Sequence, residues 1–355
     1  MRGTSLAATA FALGLTASAA SAEIASPWEG ELGLEFGIDS TFRSDDPDAE
    51  LTDVFGTAEL ALRLRLTKGA ALNFGATAES VLDPRPGKDR TFGDIGLYID
   101  TLNVEVEAGP VTLTAGKFAA GFGTAWDTMP GIWGSDLAED YELAEQLGFG
   151  LAWDLGETPV GALTFGVNLF TADTSALSDS AFTKRGRLTR ADGGAGNTGK
   201  LNNVSLTLDG ADIAAAPGLS WHLGYRELKP GLGDSATERG MVFGLAQALD
   251  LGNGTELTVV GEVARLRNVG GGDDRADYAT LGIGFARGPW HGEIAASTRK
   301  TRLGAGGSER DSLVQISGGY TWENGIDLSL GYARLSEAGA KSDTIGPRLT
   351  RSFSF

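Results

Sequence analysis

The side chains most able to do chemistry crowd into one stretch, residues 119–146, which reads AAGFGTAWDTMPGIWGSDLAEDYELAEQ. It carries Asp127, Asp136, Glu139, Asp140 and Glu142 within sixteen positions, interleaved with glycines and with Trp126, Met129 and Trp133. Carboxylates at this density concentrate negative potential, attract cations and orient water, which is electrostatic work and not bond-breaking. The remainder of the chain offers little covalent chemistry. There are no cysteines, so thiolate, disulfide and zinc-thiolate sites are excluded, and only two histidines, His222 and His291. Neither adjoins a nucleophile-like motif, so a Ser-His-acid arrangement is not supported and no enzyme, cofactor or metal centre is expected. The cations able to face the acidic stretch are Arg63 and Arg65, set between leucines in LALRLRL, and Arg226, with Arg299 from a less regular segment.

The elements that must position these groups are strands. From Glu23 onward apolar and polar residues alternate: Leu32, Leu34, Phe36 and Ile38 against Glu31, Gly33, Glu35 and Gly37, then Leu60, Leu62, Leu64 and Leu66 against Glu59, Arg63 and Arg65. Such a period of two puts one kind of side chain on each sheet face. Two arginines along one strand are hard to bury in a soluble sandwich, but they fit a face lined by water. The pattern recurs about sixteen times, with a phase slip near Thr101 that reads as a bulge. Tight turns such as Lys68 to Ala70 alternate with long polar connections, and tryptophan and tyrosine recur near strand ends (Trp28, Trp153, Trp221, Trp290, Trp322, Tyr332). This is the rhythm of a transmembrane antiparallel β-barrel with short turns on one side, long loops on the other and an aromatic girdle at each interface.

On this reading residues 119–146 form the third long loop, between the fifth and sixth strands. A connection of that length with three large apolar side chains needs somewhere to pack. We expect it to fold into the lumen as a constriction, with Arg63, Arg65 and Arg226 on the wall opposite its acids. Residues 171–199, holding Lys184, Arg185, Arg187 and Arg190, read as an exposed loop. The acidic first loop, with Asp45, Asp46, Asp48, Glu50 and Asp53, is expected to be solvated, with calcium ligation or divalent bridging to lipopolysaccharide as the alternative. Arg265 and Arg351 share the parity of lipid-facing neighbours, so either the alternation breaks at these positions or their side chains reach headgroups or a subunit interface.

Residues 1–22 combine Arg2, an apolar run and an Ala20-x-Ala22 pattern, the form of an export signal cleaved before Glu23. The remaining residues 23–355 form a single barrel domain with no dividing linker. The net charge of −18 opposes binding to nucleic acid.

Two stretches resemble a known family. The chain ends Arg351-Ser352-Phe353-Ser354-Phe355, similar to the C-terminal signal by which the barrel assembly machinery recognises outer-membrane proteins. Thr114-Ala115-Gly116-Lys117-Phe118, then Gly121-Phe122-Gly123 and the aromatic-acidic stretch to Tyr141-Glu142, resembles the Gram-negative porins, particularly those of alphaproteobacteria. The Pro-Glu-Phe-Gly-Gly motif of enterobacterial porins is missing, so no constriction residue carries over from them. The resemblance implies a sixteen-stranded barrel in the outer membrane, a third loop folded inward, a homotrimer, and passive diffusion of small polar solutes and ions. A substrate-specific channel for a sugar, phosphate or siderophore is the alternative, and a structural or adhesive barrel with a plugged lumen the second.

Overall fold

The computed structural model describes residues 26–355; the expected export signal lies outside the described residues. Sixteen long strands run antiparallel to their neighbours: β1 Trp28–Ser44, β2 Thr52–Thr67, β3 Ala70–Ser80, β4 Ile95–Ala108, β5 Val111–Phe118, β6 Gln146–Thr158, β7 Gly161–Ala172 and β8 Asn203–Ala211. They continue as β9 Leu219–Leu228, β10 Glu238–Gly252, β11 Thr255–Arg267, β12 Arg275–Arg287, β13 Trp290–Arg302, β14 Ser308–Thr321, β15 Ile326–Glu337 and β16 Ala340–Ser354. Each pairs with the next in sequence, and β16 pairs with β1 from Glu31↔Ser354 to Ser44↔Ser342, so the sheet closes. At the seam the Phe355 N–H donates to the Gly30 carbonyl and Gly30 N–H to that of Phe355, at 3.0 and 2.9 Å. Closure leaves no open edge, the condition for a sheet to sit in hydrocarbon. Among the described residues no helix is long and apolar enough to cross a membrane.

Parity sorts the two faces. Leu34, Phe36, Leu113, Phe149, Met241, Phe243, Leu281, Ile316 and Leu330 are exposed on the outside, while Glu79, Asn103, Glu238, Glu262, Asp311 and Gln315 are buried within. The interior is therefore polar and the exterior apolar, the reverse of a soluble protein. The expected phase slip is real: Gly75 pairs with Thr101 but Thr77 pairs with Tyr98, so Ile99 and Asp100 together stand opposite the single Ala76. Gly75 makes the bulge possible, because a Cβ there would lie 2.2 Å from Asp100 Oδ1.

Two features position the interior. β5 has only eight residues against fourteen in β4 and thirteen in β6, so the chain leaves the wall at mid-height and enters the lumen. The gap this leaves beside β4 is covered by the loop over residues 173–202. Its Ala181–Phe182 segment pairs with Gly96 and Leu97. This loop is not simply exposed, as its composition suggested. Arg185 donates to both oxygens of Glu145, at 2.8 and 2.6 Å, and stacks 3.8 Å above the Tyr98 ring. Lys117, 1% exposed, meets Asp173 at 2.8 Å and Glu145 at 2.7 Å. A truncated strand leaves unpaired backbone and a buried lysine, and the loop supplies partners for both.

Gly75→Val should cost roughly 1–3 kcal/mol by forcing the bulge apart, read as a lower midpoint in urea for the folded barrel; an unchanged midpoint would mean that the bulge is not tightly packed.

Candidate functional site: a constricted lumen

Residues 119–145 enter the barrel as two single helical turns, α1 Ala125–Thr128 and α2 Asp136–Glu139, joined by irregular backbone. Single turns have no stability of their own, so the loop is held by what it touches. Its main anchor is one carboxylate. Glu262 on β11, 3% exposed, accepts from the Thr124 N–H (2.8 Å) and hydroxyl (3.0 Å), the Ala125 N–H (3.2 Å) and the Tyr141 hydroxyl (2.7 Å). The first two backbone donors open α1, where a helix leaves its N–H groups unpaired. A buried carboxylate satisfied by four donors is a strong fixture.

Other wall groups complete the seat. Arg226 on β9 donates from Nη1 to the Tyr141 carbonyl at 2.7 Å and from Nη2 to Glu238 at 2.6 Å, with its guanidinium 4.7 Å from the Phe122 ring. His222 Nε2 hydrogen-bonds the Phe122 carbonyl while Nδ1 lies 2.6 Å from Asp209. Arg299 on β13 bridges Asp140 (2.6 Å) and Asp311 (2.9 Å). Apolar contact follows, with Tyr141 edge-on to both Phe122 and Tyr278. The wall also lacks side chains where the loop comes closest. A Cβ on Gly224 would lie 2.1 Å from the Phe122 carbonyl, one on Gly282 2.5 Å from Pro130, and one on Gly331 2.8 Å from Trp133. Part of the chain's glycine content is thus a socket for the loop.

Seated against β9 to β16, the loop leaves open a cavity of ≈ 360 Å³ bounded by Trp133 and Asp136 on its own side and by β1 to β3 and β13 to β16 on the other. The opposing surface carries Glu35, Asp39, Asp53, Glu79, Glu293 and Asp327, with only Arg90, Arg348 and His291 among them. Both arginines are committed. Arg90 Nε donates to Asp53 at 2.8 Å, and Arg348 grips both oxygens of Asp39, at 2.7 and 2.9 Å, while lying over Phe55 and Trp133. Acidic side chains line the opening on both sides.

The acids picked out from sequence do lie on the lumen loop, but not all face the opening. Asp136 lines it, Glu139 accepts from Ser135 Oγ at 2.9 Å, Asp140 is held by Arg299, and Asp127 and Glu142 are half-buried. The arginines are arranged differently from expectation. Arg226 is buried beneath the loop as an anchor, its two Nη groups taken up by Tyr141 and Glu238. Arg63 and Arg65 face the lumen near the 68–69 turn, away from the loop. Arg63 pairs with Glu105 at 2.5 Å and Arg65 with Glu29. Sequence reading missed Glu262 and Arg348. Each had a trace, a lone charge on the water-facing parity of an otherwise small or apolar run, VVGEVA and GPRLT.

Crowding in the narrowed lumen raises the loop carboxyls. Burial, reinforced by neighbouring acids, pushes Glu139 to about 9 and Glu142 to about 7 and holds Asp136 well above the usual range; burial alone lifts Asp127 to about 6. These groups are neutral at low pH and gain charge as pH rises through those values.

The fold and the lumen together define a class, the closed sixteen-stranded barrel narrowed by an inward loop. Solved structures with the same architecture include outer-membrane proteins. The channel DcaP of Acinetobacter baumannii aligns with a TM-score of 0.60 at 10% identity, covering 92% of this chain and 97% of that one. OpdK of Pseudomonas aeruginosa aligns at 0.53 and 10% identity, covering 92% and 99%. OmpT of Vibrio cholerae in its trimer form aligns at 0.52 and 11%, covering 92% and 98%. No protein-family model matches the sequence, and no curated protein does. The likeness is one of fold.

Glu262→Ala should release the loop, raising single-channel conductance in planar bilayers and adding open-channel noise, while Glu262→Gln retains part of the anchoring; wild-type conductance from the alanine variant would show that the loop is held elsewhere.

Proposed function

We propose that this chain is an outer-membrane porin, a water-filled channel through which small hydrophilic solutes and ions diffuse passively, with a preference for cations. The observation that carries this reading is the opening beside the loop, where carboxylates on both sides outnumber arginines that are already paired. Such a lumen offers a cation favourable potential without a ligand cage, so ions enter and leave quickly. Water ordered by this field disfavours apolar solutes. No step requires a catalytic group.

Export through the signal at residues 1–22, recognition of Phe353 and Phe355 by the barrel assembly machinery, and residence among outer-membrane lipid and lipopolysaccharide belong to the same reading. So does a homotrimer, which the trimer form of the Vibrio cholerae barrel supports by analogy of fold. Asp136, Glu139 and Glu142, with Asp127, set the charge of the constriction from the loop side, while Arg63 and Arg65 tune the vestibule nearer the short turns. A substrate-specific channel draws support from one contact, the aromatic rings of Phe55 and Trp133 gathered about the Arg348 guanidinium at the opening, a track for a planar solute.

Two measurements test the proposal. Liposome swelling with sugars of graded size should show a cutoff that depends on size and not on sugar identity; saturation by a single solute would favour the specific channel, and no swelling a plugged barrel. Reversal potentials under a salt gradient should move toward cation selectivity as pH rises from about 5 to about 9, because carboxyls with raised values acquire charge across that window. A selectivity flat across that range would remove the loop acids from the conduction path.

A further inference from the structure

Arg265 has the parity of a lipid-facing residue, and the structure keeps it there, in company. At the ends of β10 to β13 remote from the short turns, register aligns four arginines across adjacent strands: Arg239↔Arg267, Arg267↔Arg275 and Arg275↔Arg302. All four are exposed and share the outward parity of Met241, Val263, Leu281 and Ile294. One register step toward the middle of the barrel lies a second row, Arg265↔Asp277↔Lys300↔Arg310.

Seven cations thus share one outer patch of a chain whose net charge is −18. The anions within it are Glu227, bound by Arg239 at 2.9 Å, and Asp277, bound by Arg265 at 2.5 Å and Arg302 at 2.9 Å. Asp273 and Asp274 lie in the loop above, where Asp274 accepts from the Gly304 N–H. Among the described residues no carboxylate pairs with Arg267, Arg275, Lys300 or Arg310. Like charges directly opposite across a sheet are destabilising, and at a hydrocarbon boundary they need counter-anions from outside the chain.

Beside the β10–β11 end of the rows the outer wall is concave. A groove of ≈ 690 Å³ runs over β8 to β11, floored by Leu206, Leu223, Met241, Phe243 and Val263, with Arg265 and Asp277 on its rim. It lies where the wall is built from short strands, β8 of nine residues and β9 of ten. An anionic head above an apolar groove describes one kind of ligand.

We propose that this face is a binding site for a phosphorylated amphiphile of the surrounding membrane leaflet, its phosphates seated on the arginine rows and an acyl chain in the groove. Planar guanidiniums bind phosphate in bidentate fashion, and a row of them matches a head carrying more than one phosphate. A second copy of this chain fits poorly. The outward positions in the same half of β1 to β7, among them Phe42, Val54, Leu97, Phe149 and Leu169, include no carboxylate to set against the rows. The site lies on the opposite face of the wall from the lumen, and rests on the membrane placement proposed above but not on conduction.

Native mass spectrometry of the detergent-solubilised barrel, titrated with lipid A, with its dephosphorylated form and with the deacylated disaccharide phosphate, tests this. Lipid A should bind at least about tenfold more tightly than either control, as expected when charge-assisted bonds or the acyl contact are lost. The double variant Arg267→Gln with Arg275→Gln should weaken lipid A binding by about the same factor and leave single-channel conductance unchanged, while the corresponding double lysine variant recovers part of it. Equal affinity for dephosphorylated lipid, or undiminished binding by the folded glutamine variant, would overturn the site. So would a glutamine variant that alters oligomeric state while binding lipid as before, because the rows would then be a contact between copies. Absence of conduction with intact lipid binding would fault the channel reading alone.

Discussion

A sheet that closes on itself in hydrocarbon must satisfy every backbone polar group internally, and that single requirement organises this chain. Closure of β16 on β1 removes the last edge. With the edge gone, parity assigns each strand residue to one of two faces: most leucines and phenylalanines point outward and most acids and amides inward, with the outward arginine rows and the inward Phe55 and Leu266 as exceptions. A shift of one residue in any strand would exchange the two sets. The bulge at Ile99 and Asp100, opposite the glycine that admits it, lets β4 change phase without such an exchange.

Enclosure then creates a second problem, which the interior solves with charge. A barrel of this size leaves a wide lumen, and the shortened β5 releases its chain into it. The loop that follows cannot hold a shape through single helical turns, so the wall provides one. Glu262 collects the donors at the start of α1, Arg226 and Arg299 fix Tyr141 and Asp140, and wall glycines make room for the loop backbone. The same crowding that steadies the loop raises its carboxyls toward neutrality, so the constriction's charge is set by the packing that holds it in place.

Much of this was legible in the sequence because parity is a local signal. Strand number, the inward third loop, the phase slip near Thr101 and the outward parity of Arg265 could each be read from spacing. What could not be read was which cations face which acids. Arg63, Arg65 and Arg226 look alike as arginines among apolar neighbours, but strand height decides their fates: the first two pair with Glu105 and Glu29 near a short turn, and the third lies under the loop. Height depends on register across strands distant in sequence, as does the arginine ladder, whose neighbouring members are separated by as many as 28 positions. The folding of residues 173–202 against the gap beside β4 was hidden for the same reason, since its composition is that of any polar loop.

The assignment of the two faces can be tested on the native chain because it contains no cysteine. Single cysteines placed in turn at residues 31 to 36 of β1, in barrels reconstituted into liposomes, should react with a membrane-impermeant thiol reagent at positions 31, 33 and 35 and resist it at positions 32, 34 and 36. Reactivity at the even positions, or at all six alike, would contradict a wet interior behind an apolar outer wall.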